Sequence, residues 1–141
     1  MKISIIVPCY NEQESIGLFY EEMCRVSDEM GNDFEYIFVN DGSADSTLEI
    51  IEALAQNDSR VKYISFSRNF GKESAIYAGF SKATGDYVVM MDADLQDSPE
   101  EIPELYRMVV EEGYDIVSGW KKHRFDNKLT KNLPSKLYNA T

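Results

Sequence analysis

Asp92, Asp94 and Asp97 follow directly on the apolar run Val88–Met91. Carboxylates this close repel one another and raise each other's pKa, so a chain that gathers them at the end of a buried strand usually supplies a cation to neutralise them. Asp92 and Asp94 flank Ala93, a small residue that lets a large group approach, and Gln96 adds a neutral oxygen. Oxygen donors with no His or Cys beside them suit Mg²⁺ or Mn²⁺, ions that commonly sit between one or two carboxylates and the phosphates of a substrate. The competing reading of an Asp-x-Asp spacing is an exposed turn.

Three further polar clusters accompany this one. "PCYNE" holds Pro8, Tyr10, Asn11 and Glu12; "NDGS" holds Asp41, Gly42 and Ser43; "SRNFGKE" holds Arg68 and Lys72. Each has an ordinary structural reading. The first is a strand end with a helix cap, although a cap needs neither Tyr10 nor Glu12. The second is a Gly-containing turn with an N-cap. Arg68 and Lys72 are either solvated surface charges or, beside a glycine, cations facing a diphosphate. His123 reads as solvated and Trp120 as packing at a sheet edge.

The elements that must position these clusters alternate along the chain. "KISIIVPCY" reads as a first strand. Asn11 with Glu14 resembles a capping box for a helix whose Ile16, Phe19, Tyr20, Met23 and Val26 share one face. "FEYIFVN" is a second strand, and Leu48, Ile51, Leu54 and Ala55 mark a second helix. "VKYISFS" is a third strand, followed by a helix ending at Gly85. Val88–Met91 is the fourth strand. Ser98, Pro99 and Glu101 supply the N-cap, first residue and capping-box partner of a helix with Ile102, Leu105, Tyr106 and Val109 inward and Gly113 as its stop. "DIVSG" is a fifth strand. Continuous apolar strands alternating with helices predict an α/β fold, a mostly parallel sheet with helices on both faces. In such sheets ligands sit outside the carboxyl ends of the strands, where all four polar clusters fall.

At 141 residues the chain fits one domain. It has no apolar stretch of the roughly 18–20 residues a membrane span needs, and its N-terminus does not read as a signal peptide, so a cytoplasmic location is expected. Cys9 and Cys24 read as buried free thiols. The net charge of −11 divides into −16 up to Gly119 and +5 from Trp120 to Thr141. The acidic body argues against nucleic-acid binding. The basic end is either a solvated segment or one facing phosphate or an anionic membrane surface.

Together "VPCYNE", "VNDGSADST", "SRNFGKESAIYAGFSKATGDYVVMMDADLQDSPEEI" and "DIVSGWKKHRFDN" resemble the inverting family-2 glycosyltransferases with the Rossmann-like GT-A fold, and look closest to the polyprenyl-phosphate (dolichol-phosphate-like) sugar transferases. The resemblance implies that Pro8, Tyr10, Glu12 and Asp41 hold the base and ribose of a UDP- or GDP-linked sugar. Asn11, Gly42, Ser43, Arg68, Lys72 and Ala93 are assigned to the same nucleotide-sugar site. It further implies that Asp92, Asp94 and Gln96 hold Mg²⁺ or Mn²⁺ on the diphosphate, with Asp94 the candidate catalytic residue. Asn40 departs from the pattern, many members having Asp there. The implied reaction is sugar transfer to a polyprenyl phosphate with inversion. The alternative is that this stretch of chain by itself is a nucleotide-sugar and metal-binding module without turnover; a nucleotidyltransferase is disfavoured because no glycine-rich phosphate loop follows the first strand. Residues 1–119 are expected to form the nucleotide-sugar-binding domain. Residues 120–141 are expected to be a basic segment leading toward an acceptor and membrane region at the cytoplasmic face, in a longer parent enzyme of a type that often adds a membrane anchor.

Overall fold

Ile3, Ile5, Ile6 and Val7 have no exposed surface, because the strand that carries them lies mid-sheet with helices against both faces. The computed structural model describes residues 1–96 and 98–112 in full, and residues 116–119 and 135–139 as backbone. In chain order the elements are β1 (Lys2–Cys9), α1 (Ile16–Met30), β2 (Asp33–Asn40), α2 (Thr47–Asn57), β3 (Val61–Ser65), α3 (Lys72–Lys82), β4 (Tyr87–Met90), a 3₁₀ turn (Pro99–Glu101), α4 (Ile102–Glu112), β5 (Ile116–Gly119) and β6 (Ser135–Asn139).

The six strands run in the order β3-β2-β1-β4-β6-β5. β1 pairs in parallel with β2 on one side, Ile5 opposite Tyr36, and with β4 on the other, Ile5 opposite Val89. β3 continues the parallel set beside β2. Strand order therefore reverses between β1 and β4, the point where such sheets open a crevice at their carboxyl edge. The expected α/β architecture is present.

One face carries the main core. Ile3, Ile5 and Val7 of β1, Phe34, Tyr36 and Phe38 of β2, and Val89 of β4 pack with Ile16, Phe19, Met23 and Val26 of α1, Ile51 of α2, and Ile102, Leu105 and Val109 of α4. The period-2 alternation of the strands meets helical stripes at i, i+3, i+4 and i+7, as the spacing predicts. Tyr20 and Tyr106 are half-buried at the margin of this core. The opposite face is covered by α3 over Ile37 and Val39. There Gly79 is a contact residue: a Cβ at that position would stand 2.5 Å from Ile6 Cγ2, so only a bare Cα lets the helix sit this close to β1.

Four expectations are corrected. Asn11 and Glu14 form no capping box: α1 begins at Ile16 with Ser15 as N-cap. Asn11 adopts φ 53° and spends its side chain accepting from Ala44 N–H at 2.8 Å, tying the loop after β1 to the loop after β2. α3 ends at Lys82 rather than Gly85. The backbone N–H groups of Thr84 and Gly85 are turned instead to Glu35 and Ser4. Cys24 is half-buried rather than buried, its sulfur 3.6 Å from the Arg60 guanidinium; both cysteines are free. Finally, the sheet has a sixth strand that the sequence pattern did not suggest. β6 lies between β4 and β5 and runs antiparallel to both. It falls within residues 120–141, so part of the basic segment returns into the sheet. At the other helix start Ser98 caps as expected, its Oγ accepting from Glu100 N–H at 3.2 Å. The expected stop at Gly113 lies outside the described residues.

Candidate active site

The loops that leave β1, β2 and β4, together with the start of α3, enclose a cleft of about 250 Å³ lined by Pro8, Cys9, Tyr10, Glu12, Asp41, Lys72, Asp92 and Asp94. It opens at the carboxyl edge of the sheet, at the β1/β4 reversal. Seven of these eight residues are among those the sequence singled out as candidates; Cys9 is the addition. Its thiol is pushed well up by burial, with the charges of Glu12 and Asp92 adding to the effect. It is therefore held neutral and is no nucleophile.

Electrostatically the cleft is a pool of negative charge. Glu12 titrates above its ordinary value, first because burial penalises its ionised form; the hydrogen bond from Ser15 offsets part of this, and the charges of Asp94, Asp92 and Asp45 raise it further. Lys72 answers this charge: its Nζ lies 2.8 Å from Asp92 Oδ1. Asp94 is exposed and accepts from Gln96 N–H at 3.1 Å.

The carboxylate of Asp41 does not face the cleft as a free acceptor. The residue is 3% exposed. One oxygen accepts from Phe70 N–H at 2.7 Å, the other from Gly71 N–H at 3.0 Å and from Asn69 Nδ2 at 3.1 Å. Asp41 thus anchors the turn that starts α3 and fixes where Lys72 emerges. Gly42 serves the same junction. It has φ +69°, and a Cβ there would lie 2.2 Å from the Arg68 carbonyl carbon and 2.4 Å from Asn69 N. Asn40 braces it from below, donating to Ser65 Oγ and accepting from Ser43 N–H. Ser43 in turn accepts from Asn11 N–H at 2.9 Å.

The remaining candidates are placed elsewhere. Ala93 is fully buried in the main core. Arg68 is not in the cleft lining; its guanidinium lies 4.0 Å from the Phe70 ring centroid. Asn11 and Ser43 link the loops that follow β1 and β2 and are not in the cleft lining, and Gln96 is exposed beside Asp94. Asp97, Trp120, His123 and the basic residues Lys121, Lys122, Arg124, Lys128 and Lys131 lie outside the described residues.

The donor set suits a hard divalent cation. Among the described residues no three Asp, Glu, His or Cys side chains form a complete metal-binding group. Asp92 and Asp94, on either side of the buried Ala93 and both lining one cleft, could supply the protein's share of such a site when substrate phosphates and water supply the rest.

A four-stranded parallel set with a reversal at β1/β4, an antiparallel strand beside it and an acidic cleft at the reversal match the GT-A class of glycosyltransferase folds. The structure superposes with a TM-score of 0.79 on the mannosyltransferase PcManGT from Pyrobaculum calidifontis in complex with GDP-Man and Mn²⁺, at 20% identity, covering 97% of this chain and 44% of that one. It also superposes, with a TM-score of 0.73, on S. aureus TarS 1-349 in complex with UDP-GlcNAc, at 23% identity over 99% of this chain and 46% of that one. The chain belongs to glycosyl transferase family 2, whose family model matches residues 4–140. It is 44% identical over 138 residues to the undecaprenyl-phosphate 4-deoxy-4-formamido-L-arabinose transferase of Shewanella sediminis, covering 97% of this chain and 41% of that protein. To the putative glycosyltransferase CsbB of Bacillus subtilis it is 46% identical over 136 residues, covering 96% and 41%. The chain thus spans about two-fifths of the length of these relatives. Among the described residues no helix is long and apolar enough to cross a membrane.

Proposed function

We propose that this chain is the donor-binding part of an enzyme that transfers a sugar, with inversion, from a UDP- or GDP-linked donor to a polyprenyl phosphate. The observation that carries the reading is the convergence of Glu12, Lys72, Asp92 and Asp94 on one cleft at the strand reversal. The names of the relatives, the nucleotide sugars held by the two solved structures and the Mn²⁺ in one of them support it.

Asp92 and Asp94, with Gln96 beside them, are the groups that would hold Mg²⁺ or Mn²⁺. Bound there, the cation would offset charge developing on the diphosphate as it leaves, the largest electrostatic demand of the displacement. Pro8 and Tyr10, the latter 49% exposed, offer the apolar edge of the cleft to the base. Lys72 offers the cation for a phosphate. The new bond forms between an acceptor phosphate oxygen and the anomeric carbon, on the face opposite the breaking bond to the diphosphate oxygen, which inverts that centre. A phosphate monoester with a second pKa near ~6 is mostly dianionic at neutral pH and needs little help from a base. This matches a cleft lining in which, among the described residues, there is no His and the thiol is held neutral. Membership of a transferase family favours turnover over a pure binding module. The part of the basic segment that precedes β6, residues 120–134, is proposed to approach the acceptor and the anionic cytoplasmic face of the membrane.

Titration calorimetry with UDP and GDP, with and without Mn²⁺, tests the donor site, and release of nucleoside diphosphate in the presence of undecaprenyl phosphate tests the transfer. Asp94→Asn is expected to lose the metal-dependent part of nucleotide binding while the protein stays folded, since it removes one of two clustered carboxylates. Nucleotide affinity that is the same with and without Mn²⁺, and the same in the variant, would overturn the metal assignment.

A further inference from the structure

We propose that Lys72 is a built-in counter-ion of the cleft: it occupies Asp92 until a divalent cation arrives, must then yield that carboxylate, and is released toward the diphosphate that accompanies the cation. The inference rests on the donor-site reading above and adds an order of events to it.

Three observations point this way. Among the described residues Lys72 is the sole cation in the cleft lining, set against Glu12, Asp41, Asp92 and Asp94; Arg68, the other candidate, is stacked on Phe70 instead. Its Nζ sits directly on a proposed metal ligand, 2.8 Å from Asp92 Oδ1. The pair is also built to open. The Lys72 and Asp92 side chains are 60% and 36% exposed, so the contact is a weak surface pair rather than a locked buried one. An ammonium left within a few ångströms of a newly bound divalent cation would be repelled by it.

The backbone beneath this mobile head is fixed. Lys72 is the first residue of α3, and the two residues before it give their N–H groups to the buried Asp41 carboxylate. A flexible four-carbon stem on a fixed Cα can swing its ammonium from one anion to the next without moving the helix. The same lysine would therefore keep the empty cleft from being over-charged and then meet the incoming phosphate.

The test measures Mn²⁺ binding to the full chain by the loss of the free-ion electron paramagnetic resonance signal, in the wild type, Lys72→Met and the control Lys82→Met at the other end of α3. Lys72→Met is expected to bind Mn²⁺ about two- to five-fold more tightly, the scale of a released surface pair, and to bind UDP or GDP more weakly once Mn²⁺ is saturating. Lys82→Met should do neither. An unchanged Mn²⁺ affinity in Lys72→Met, or an equal gain in Lys82→Met, would overturn the proposal. Independently, the acylation rate of the Lys72 amine, read by mass spectrometry, should rise on adding Mg²⁺ and fall again when UDP or GDP follows; a rate indifferent to Mg²⁺ would overturn it as well. A wild type that binds no Mn²⁺ even with UDP or GDP present removes the donor-site reading and this proposal together, and one that binds Mn²⁺ only when the nucleotide is present overturns this proposal's order of events alone. Mn²⁺ binding that Asp94→Asn abolishes but Lys72→Met leaves unchanged removes this proposal alone.

Discussion

Asp41→Asn separates two roles that the sequence cannot tell apart, nucleotide ligand and loop anchor. In the structure the carboxylate receives Phe70 N–H at 2.7 Å on one oxygen, and Gly71 N–H at 3.0 Å and Asn69 Nδ2 at 3.1 Å on the other. Asparagine retains one acceptor oxygen and turns an NH₂ group toward donors. At least one charge-assisted bond is lost outright, the others lose their charge, and a buried donor is left facing a donor. With hydrogen bonds to charged groups contributing roughly 1.5–3 kcal/mol each, the expected loss is about 3 kcal/mol. Because the bonds all close one turn, the loss should appear first as local opening. At 1.4 kcal/mol per tenfold, the amides of Phe70 and Gly71 should exchange with deuterium about a hundred-fold faster. Nucleotide affinity should fall as a consequence, through a displaced Lys72. Amide exchange and urea midpoint unchanged from the wild type, alongside a large fall in nucleotide affinity, would refute this reasoning and make Asp41 a direct ligand.

Gly42→Ala forces a side chain onto φ +69° and places its Cβ 2.2 Å from the Arg68 carbonyl carbon. Left-handed strain and overpacking against backbone together predict a loss of about 2–4 kcal/mol in urea unfolding, and a change below about 0.5 kcal/mol would show that the two loops separate freely. Glu35 gives a pH signature away from the cleft. Burial alone would raise its pKa, but hydrogen bonds from Lys62, Ser4 and Thr84 hold it at about 2 against an ordinary 4.5. A depressed folded-state pKa means its contribution is complete above the unfolded value and disappears as pH falls from about 4.5 toward 2, amounting to about 3 kcal/mol. Urea midpoints of Glu35→Gln should therefore fall less steeply than those of the wild type across that window, and identical slopes would assign the acid sensitivity elsewhere. Lys121→Glu with Lys122→Glu and Arg124→Glu should abolish a weak, salt-sensitive adsorption to anionic vesicles, at about 1 kcal/mol per basic residue engaged; adsorption indifferent to salt and to the three changes would exclude these residues as the contact.

The four parallel strands, their helices and the edge on which the chemistry sits were legible in the sequence, because burial on both faces writes itself as continuous apolar runs and amphipathic spacing is local. Asp92, Asp94, Glu12 and Lys72 could be placed at one edge on that basis alone. What the sequence left undecided is where each polar side chain points once the loops meet. Asp41 and Lys72 belong to neighbouring loops and both read as site residues. Only the tertiary structure turns one inward to amides 29 and 30 positions away in sequence and leaves the other in the cleft. The same holds for Gly42, whose necessity comes from the Arg68–Asn69 backbone, and for Ala93, which spacing placed beside a ligand and packing placed in the core. β6 was hidden for a related reason. "SKLYN" has no long apolar run, and its place in the sheet is set by antiparallel pairing with β4, far back in the chain, as well as with the preceding strand β5. Periodicity fixes which face of an element is buried. Which donor meets which acceptor depends on the relative placement of segments that no local pattern records.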